Sequence, residues 1–73
     1  MSKSIKSNAP SRSVTDVGPG DYIKAGGQFH RIVSNSAHGA NYTPRSWTII
    51  TEDGSRGYGM YDIQLYAKAE DVE

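Results

Sequence analysis

From residue 17 onward, apolar and polar residues alternate in short runs separated by turn signals. β-Branched and aromatic residues fill these runs, and their length and period suit strands rather than helices. We therefore predict five short strands, at residues 22–24, 29–33, 47–51, 57–61 and 63–66. Five short strands in a chain of this length predict an all-β fold, a small SH3-like five-stranded barrel.

Three details refine the strand prediction. In residues 29–33, the period of two places His30 and Ile32 on the same face. Trp47 opens the most β-branched run, so we expect it in the core or in an interface. The Asp-Gly pair at residues 53–54 then predicts a tight hairpin turn. At the acidic C-terminus we expect one helical or 3₁₀ turn.

The first sixteen residues differ in composition from the rest of the chain. Residues 1–16 hold five serines and only two large aliphatic side chains, Ile5 and Val14. Such a segment buries too little apolar area to offset the entropy of ordering it. We therefore predict a disordered tail at residues 1–16, dispensable for folding and assembly, and a barrel domain at residues 17–73.

Length and composition narrow the ways in which so small a domain can be stable. Its 73 residues contain no cysteine and only two histidines, which lack partners at metal-ligand spacing. We therefore expect neither disulfides nor a metal site, which leaves oligomerisation as the source of added stability. The net charge is zero and no apolar run suits a membrane span or a signal peptide. We expect a cytoplasmic protein with no membrane partner.

Single residues give little evidence of chemistry. The sequence has no Ser-His-Asp pattern and no convincing pair of carboxylates, and its glycines do not follow phosphate-loop spacing. His30 could serve as a base, but a lone strand histidine more often packs or faces solvent. Tyr58, Tyr61 and Tyr66 could stack on nucleic-acid bases, but packing within or between subunits is the commoner role. A nucleic-acid partner is therefore not expected.

Several short motifs occur in an order that is typical of one enzyme family. They are G-P-G-D at residues 18–21, G-G-Q-F at 26–29 with R-I-V at 31–33, N-Y-T-P-R-S-W at 41–47 and I-Q-L-Y at 63–66. This order resembles the G-M-G-D, G-A-A-W, Q-I-V, N-L-T-P-E-G-Y and V-Q-I-Y segments of the type B dihydrofolate reductases. These are small, plasmid-encoded, trimethoprim-insensitive enzymes. The resemblance spans residues 18–72.

The resemblance implies both an assembly and an activity. Members of this family are SH3-like barrels with a disordered N-terminal tail, and four subunits surround one central pore. The pore binds NADPH and dihydrofolate, and hydride transfer gives tetrahydrofolate. We therefore expect a homotetramer in which every side chain at the pore occurs four times and must serve either ligand.

Three residues of this chain match positions that line the family's pore, and a fourth, Lys24, lies within one residue of another such position. The resemblance implies that Gln64 clamps the stacked rings of both ligands and that the backbone of Leu65 holds the edges of these rings. It implies that the ring and hydroxyl of Tyr66 contact the cofactor, which makes Gln64 and Tyr66 the catalytic candidates. Lys24 stands one residue before the position of the family's lysine and is expected to bind cofactor and substrate.

Two departures and one alternative accompany this hypothesis. Asp62 replaces a small residue beside the pore strand, and the family's loop histidine has no counterpart here. Without a general acid in the pore, the proton for the pterin would come from solvent, and catalysis would rest on holding the two rings together.

The alternative function is that of a non-catalytic SH3-like module that binds a protein or a nucleic acid.

Overall fold

The strands follow the alternation of the sequence. The computed structural model describes residues 3–62 and 64–73. Its elements are the 3₁₀ helix η1 at Val14–Asp16, β1 at Tyr22–Ala25, β2 at Gln28–Asn35, β3 at Ser46–Thr51, β4 at Gly54–Gly59, β5 at Leu65–Ala67 and the 3₁₀ helix η2 at Ala69–Asp71. The described part of the chain contains no helix long and apolar enough to cross a membrane.

The five strands form one antiparallel sheet in the order β4-β3-β2-β1-β5. β1 to β4 are a meander of successive hairpins, and β5 then returns to pair with β1. This order is that of an SH3-like barrel, which confirms the predicted all-β fold. It also leaves β4 and β5 as the two edge strands.

β4 begins earlier than the sequence predicts. We expected a strand at residues 57–61, whereas β4 pairs with β3 from Thr51↔Gly54 to Ser46↔Gly59. Glycine and serine have low strand propensity, so the first half of β4 carries no local strand signal. The hairpin turn at residues 52–53 and the pairing with β3 determine the start of this strand. Ile63, part of the predicted last strand, lies outside the described residues.

The core is small and draws on β1 to β4. Its buried members are Val14, Val17, Ile23, Ile32, Ala37, Trp47, Ile49 and Tyr58. Trp47 is only 7% exposed, which confirms its predicted place in the core. Each fully buried aliphatic side chain contributes about 1.5–3 kcal/mol through removal of apolar surface from water.

The N-terminal segment makes contacts from residue 4 onward. Val14 is 4% exposed and belongs to the core, so the core begins three residues before the domain boundary predicted at residue 17. Ile5 forms an isolated β-bridge with Val72, and Arg12 forms another with Tyr66. We call residues 3–12 the N-terminal strap. The disorder predicted for residues 1–16 from composition stays a prediction, which truncation tests.

A buried carboxylate joins the start of β1 to the end of the chain. Asp21 accepts hydrogen bonds from the amides of Gly18 at 2.8 Å and Ala69 at 2.9 Å, and from the Lys68 ammonium at 3.2 Å. Burial alone would raise the pKa of Asp21, but the two amides and the ammonium together hold it below its ordinary value. Asp21 therefore fixes the segment after β5 in place.

Candidate functional site

The pairing of β1 with β5 places the predicted site residues on two different faces. Lys24 is paired with Leu65, and Ile23 is paired with Tyr66. Directly paired residues of an antiparallel ladder share a face of the sheet. Ile23 is fully buried, so Tyr66 shares the core face, and Lys24 lies with Leu65 on the outer face.

Lys24 and Leu65, with Gln64 next to Leu65 along the chain, define a region that we call the β5 surface. Leu65 is 53% exposed although it belongs to a strand, and Gln64 is half-buried just before it. The Lys24 ammonium lies 5.4 Å from the centroid of the Phe29 ring, a cation–π contact that holds the lysine near the sheet. The structure thus brings Lys24 and Leu65 onto one face, and Gln64 joins them only as the residue before Leu65.

Tyr66, the fourth predicted site residue, packs against the core instead. Its hydroxyl and the indole N–H of Trp47 are both buried, and neither makes a hydrogen bond of good geometry with the described residues. Burial raises the pKa of the Tyr66 hydroxyl, an effect that the Trp47 indole partly offsets. A hydroxyl contact with a cofactor would need the ring to leave this position, and it stays a prediction.

The N-terminal strap borders the β5 surface. A cavity of about 140 Å³ lies between Ile5 and Arg12 of the strap and Gln64 and Leu65. The Arg12 guanidinium donates to Oδ2 of Asp71 from Nε at 3.3 Å and from Nη2 at 3.2 Å. Arg12, one of the three cations of the strap, is therefore already paired with Asp71 beside β5 rather than facing an open site.

The carboxylate of Asp62 is engaged within its own loop. The backbone N–H of Gly59 donates to Asp62 Oδ2 at 2.6 Å and closes the turn after β4. The family resemblance would place this carboxylate beside the strand that lines a pore, where four copies could repel anionic ligands. In the protomer its role is that of a turn-closing acceptor.

The three tyrosines that could stack on bases do not share a surface. Tyr58 is 9% exposed and belongs to the core, and Tyr66 packs against that core. Tyr61 is 89% exposed, at the start of the loop between β4 and β5. A stacking platform made of these three residues is therefore absent from the protomer.

A second group of polar residues lies where the barrel opens between the β1–β2 and β3–β4 turns. We call this cavity of about 230 Å³ the barrel-end pocket, and its lining includes Ile23, His30, Ile49, Asp53, Arg56 and Tyr58. His30 Nδ1 lies 2.6 Å from Asp53 Oδ2. Sequence reasoning weighed His30 alone and missed its partners, although the alternation that pairs His30 with Ile32 already indicated an inward face.

The described residues contain no group of three or more histidine, cysteine or acidic side chains that could hold a metal ion.

Comparison with known proteins finds no family model, no curated protein and no solved structure that matches this chain. The functional hypothesis therefore rests on the motifs of the sequence and on the geometry of the two surfaces described above.

Proposed function

We propose that this protein is an NADPH-dependent dihydrofolate reductase of the type B kind, active in the cytoplasm as a homotetramer and insensitive to trimethoprim. The observation that carries the proposal is the direct pairing of Lys24 with Leu65 on the outer face of the β1–β5 pair. This pairing supports a role for Lys24 as the cation beside the Q-L-Y strand, although it stands one residue before the family's lysine.

A shared site also suits the size of the protomer. The cavity at the strap, the barrel-end pocket and a third cavity, beside Arg45 and Tyr61, measure about 140, 230 and 300 Å³. Sites for drug-sized ligands and cofactors occupy about 300–1,000 Å³, so none of the three is large enough for both ligands. A dinucleotide and a pterin therefore need a cavity between subunits. Leu65, an apolar side chain left half-exposed on an outer face, favours burial of this surface on assembly.

The residues of the β5 surface fit the two ligands in charge and hydrogen bonding. Both ligands are anionic, and Lys24 supplies a positive charge. The Gln64 amide both donates and accepts hydrogen bonds, so copies of it can serve either ligand around a symmetric pore. NADPH would supply the hydride. The protein would hold the two ligands in reacting contact, with Tyr66 contributing its backbone or, after a ring movement, its hydroxyl.

The test combines an activity with an assembly state. We expect the purified chain to oxidise NADPH only when dihydrofolate is present, to do so in the presence of trimethoprim, and to have the solution mass of four subunits. Gln64→Ala should lower activity strongly, whereas Gln28→Ala, at an exposed glutamine of β2, should not. Expression should let a susceptible bacterium grow on trimethoprim. A monomer without dihydrofolate-dependent NADPH oxidation would overturn the proposal.

One observation favours the second candidate, a non-catalytic binding module. Tyr61 is 89% exposed and its neighbour Met60 is 44% exposed, which leaves two adjacent apolar side chains on the loop between β4 and β5. Exposed aromatic and Met side chains are common at interfaces with partner proteins. A stable monomer that lacks reductase activity, and whose affinity for a protein partner falls on Tyr61→Ala, would support this candidate.

A further inference from the structure

We propose that the barrel-end pocket binds the oxyanion group of a small ligand, a carboxylate or a phosphate, through Arg56 and His30. This pocket shares none of its lining residues with the β5 surface, so the inference goes beyond the proposed reductase and stands or fails independently of it.

Two basic side chains lie on the inner face of the barrel at this end. Arg56 is paired with Ile49, which is 1% exposed, and His30 is paired with Ile23, which is fully buried. Because paired residues share a face, both basic groups stand over the apolar floor of the pocket. Arg56 is itself exposed, so its guanidinium reaches water at the mouth of the pocket, and the Asp53 carboxylate lies in the same lining. A small anion that rests on the apolar floor would meet the guanidinium at this mouth.

Arg56 is held in position but keeps its hydrogen-bond donors free. Tyr58 lies two residues along the same strand, and the guanidinium carbon lies 5.7 Å from the centroid of its ring. A cation–π contact orients a guanidinium without using its N–H groups. Among the residues that the structure describes, Arg56 forms no salt bridge. Its N–H groups are therefore available to a ligand.

The Asp53 carboxylate orients the His30 ring, and the same contact occupies that carboxylate. The 2.6 Å contact joins Nδ1 to Asp53 Oδ2 and fixes the ring, and because a carboxylate accepts, Nδ1 carries the proton. Nε2 can therefore donate to an anion only when the ring carries both protons, and otherwise it accepts from a protonated ligand. The neighbouring Thr51 hydroxyl is already used, because it donates to the Gly54 carbonyl and accepts from the Asp53 amide. The polar atoms left for a ligand come mainly from Arg56 and His30.

The size and chemistry of the pocket define the class of ligand. A cavity of about 230 Å³ is below the usual range for drug-sized molecules, so the ligand is small. A guanidinium matches the planar arrangement of oxygens in a carboxylate or a phosphate and binds either in a bidentate manner. The floor of Ile23 and Ile49 suits a short apolar body rather than a second charged group.

The experiment titrates the full chain with sodium acetate and, separately, with sodium phosphate, at constant ionic strength, and follows the backbone amide signals by NMR. We expect the amides of Gly26, Gly54 and Ser55 to shift together and to saturate with at least one anion. The anion that saturates at lower concentration identifies the group. Arg56→Gln should weaken binding about tenfold, the scale of a charge-assisted contact.

Arg31→Gln is the matched control, because Arg31 follows His30 on the same strand and points to the opposite, exposed face. It should change the affinity less than about twofold, because Arg31 is not among the residues that line the pocket and its distant charge is screened. Shifts that stay linear with both anions, or equal weakening by Arg31→Gln and Arg56→Gln, would overturn the proposal. If Arg56→Gln does not fold, Arg56→Lys keeps the charge, loses the bidentate geometry and should still weaken binding more than Arg31→Gln.

Discussion

The β5 surface and the barrel-end pocket depart from the alternation of a barrel strand in opposite ways. At the β5 surface an apolar side chain, Leu65, stands on the outer face and is 53% exposed. At the barrel end a charged side chain, Arg56, stands on the inner face opposite the buried Ile49. An exposed apolar group is stabilised when another surface covers it, whereas the guanidinium at the mouth of a pocket is exposed and can bind an anion. The two proposed sites on this sheet thus differ in the kind of occupant.

The two regions also differ in how their polar groups are already used. Beside β5, Arg12 is paired with Asp71 and Lys68 with Asp21. Lys24 and Arg56 form no salt bridge among the described residues, and each has a cation–π contact instead. Local rules of alternation are expected to fail at functional sites. Each region thus combines a cation that has free donors with a departure from alternation.

The largest expected effect comes from replacing Asp21, whose hydrogen bonds hold the segment after β5 in place. Asp21→Asn replaces a buried acceptor of three hydrogen bonds with a group that also donates, so we expect a loss of about 3 kcal/mol in the free energy of unfolding. Hydrogen exchange should quicken in β5 and η2 more than at Ser55 in the barrel-end pocket. Asp62→Asn, whose carboxylate is exposed, is the control and should cost less than about 1 kcal/mol.

The hydrogen bonds of Asp21 also predict that the free energy of unfolding depends on pH. The pKa of Asp21 is lowered in the folded protein, so its contribution is complete above the unfolded value of about 3.9 and is lost as the pH falls through the folded value. Urea unfolding from neutral pH down through this range should show a steeper loss of stability in the wild type than in Asp21→Asn. Parallel curves would mean that Asp21 does not anchor the β5 region.

The next largest effect concerns where the core begins. Val14→Ala should lower the free energy of unfolding by about 2 kcal/mol, because it removes buried methyl groups from the core. Ile5→Ala, in the strap, and deletion of residues 1–12 should each cost about 1 kcal/mol or less, since their contacts lie at the surface. Urea unfolding measures all three. A wild-type value for Val14→Ala would support the disordered tail that composition predicts for residues 1–16.

A smaller effect, an increase in the free energy of unfolding, is expected for a substitution on the core face of β5. Tyr66→Phe removes a buried hydroxyl that has no hydrogen-bond partner of good geometry, so we expect stability to rise by up to about 1 kcal/mol. Tyr61→Phe, at an exposed position, should change nothing. If Tyr66→Phe instead lowers stability or weakens NADPH binding, the hydroxyl has a partner that the protomer lacks, and Tyr66 belongs to the shared site.

The smallest expected effect tests the cation of the β5 surface and rests on the proposed reductase. Lys24→Met should raise the Michaelis constants for NADPH and dihydrofolate about threefold and flatten their salt dependence, since charges are screened over about 8 Å at physiological ionic strength. The solution mass should stay the same. Lys6→Met, at an exposed lysine of the strap, is the control. Wild-type constants and salt dependence in Lys24→Met would assign that lysine to the solvent-exposed surface and make Arg31 the next candidate.

Features that depend on neighbours along the chain could be predicted from the sequence alone. Alternation and β-branched residues located β1, β2 and β3, and the Asp-Gly pair located the hairpin before β4. The aromatic start of the β3 run predicted Trp47 in the core or in an interface, and the structure shows it in the core. The motifs also singled out Lys24 and Leu65, which proved to be neighbours across two strands. Each of these features has a local signature in period, propensity or turn chemistry.

Long-range packing of the strands determines which of these residues meet and on which face they lie. Val14 entered the core from a segment whose composition predicts disorder. Tyr66 took the inner face because the register pairs it with Ile23, a relation that a short strand leaves open. His30 and Asp53 are 23 positions apart in sequence and meet only because two hairpin ends lie side by side. Register between strands is set by long-range packing, and one residue of slip exchanges the two faces.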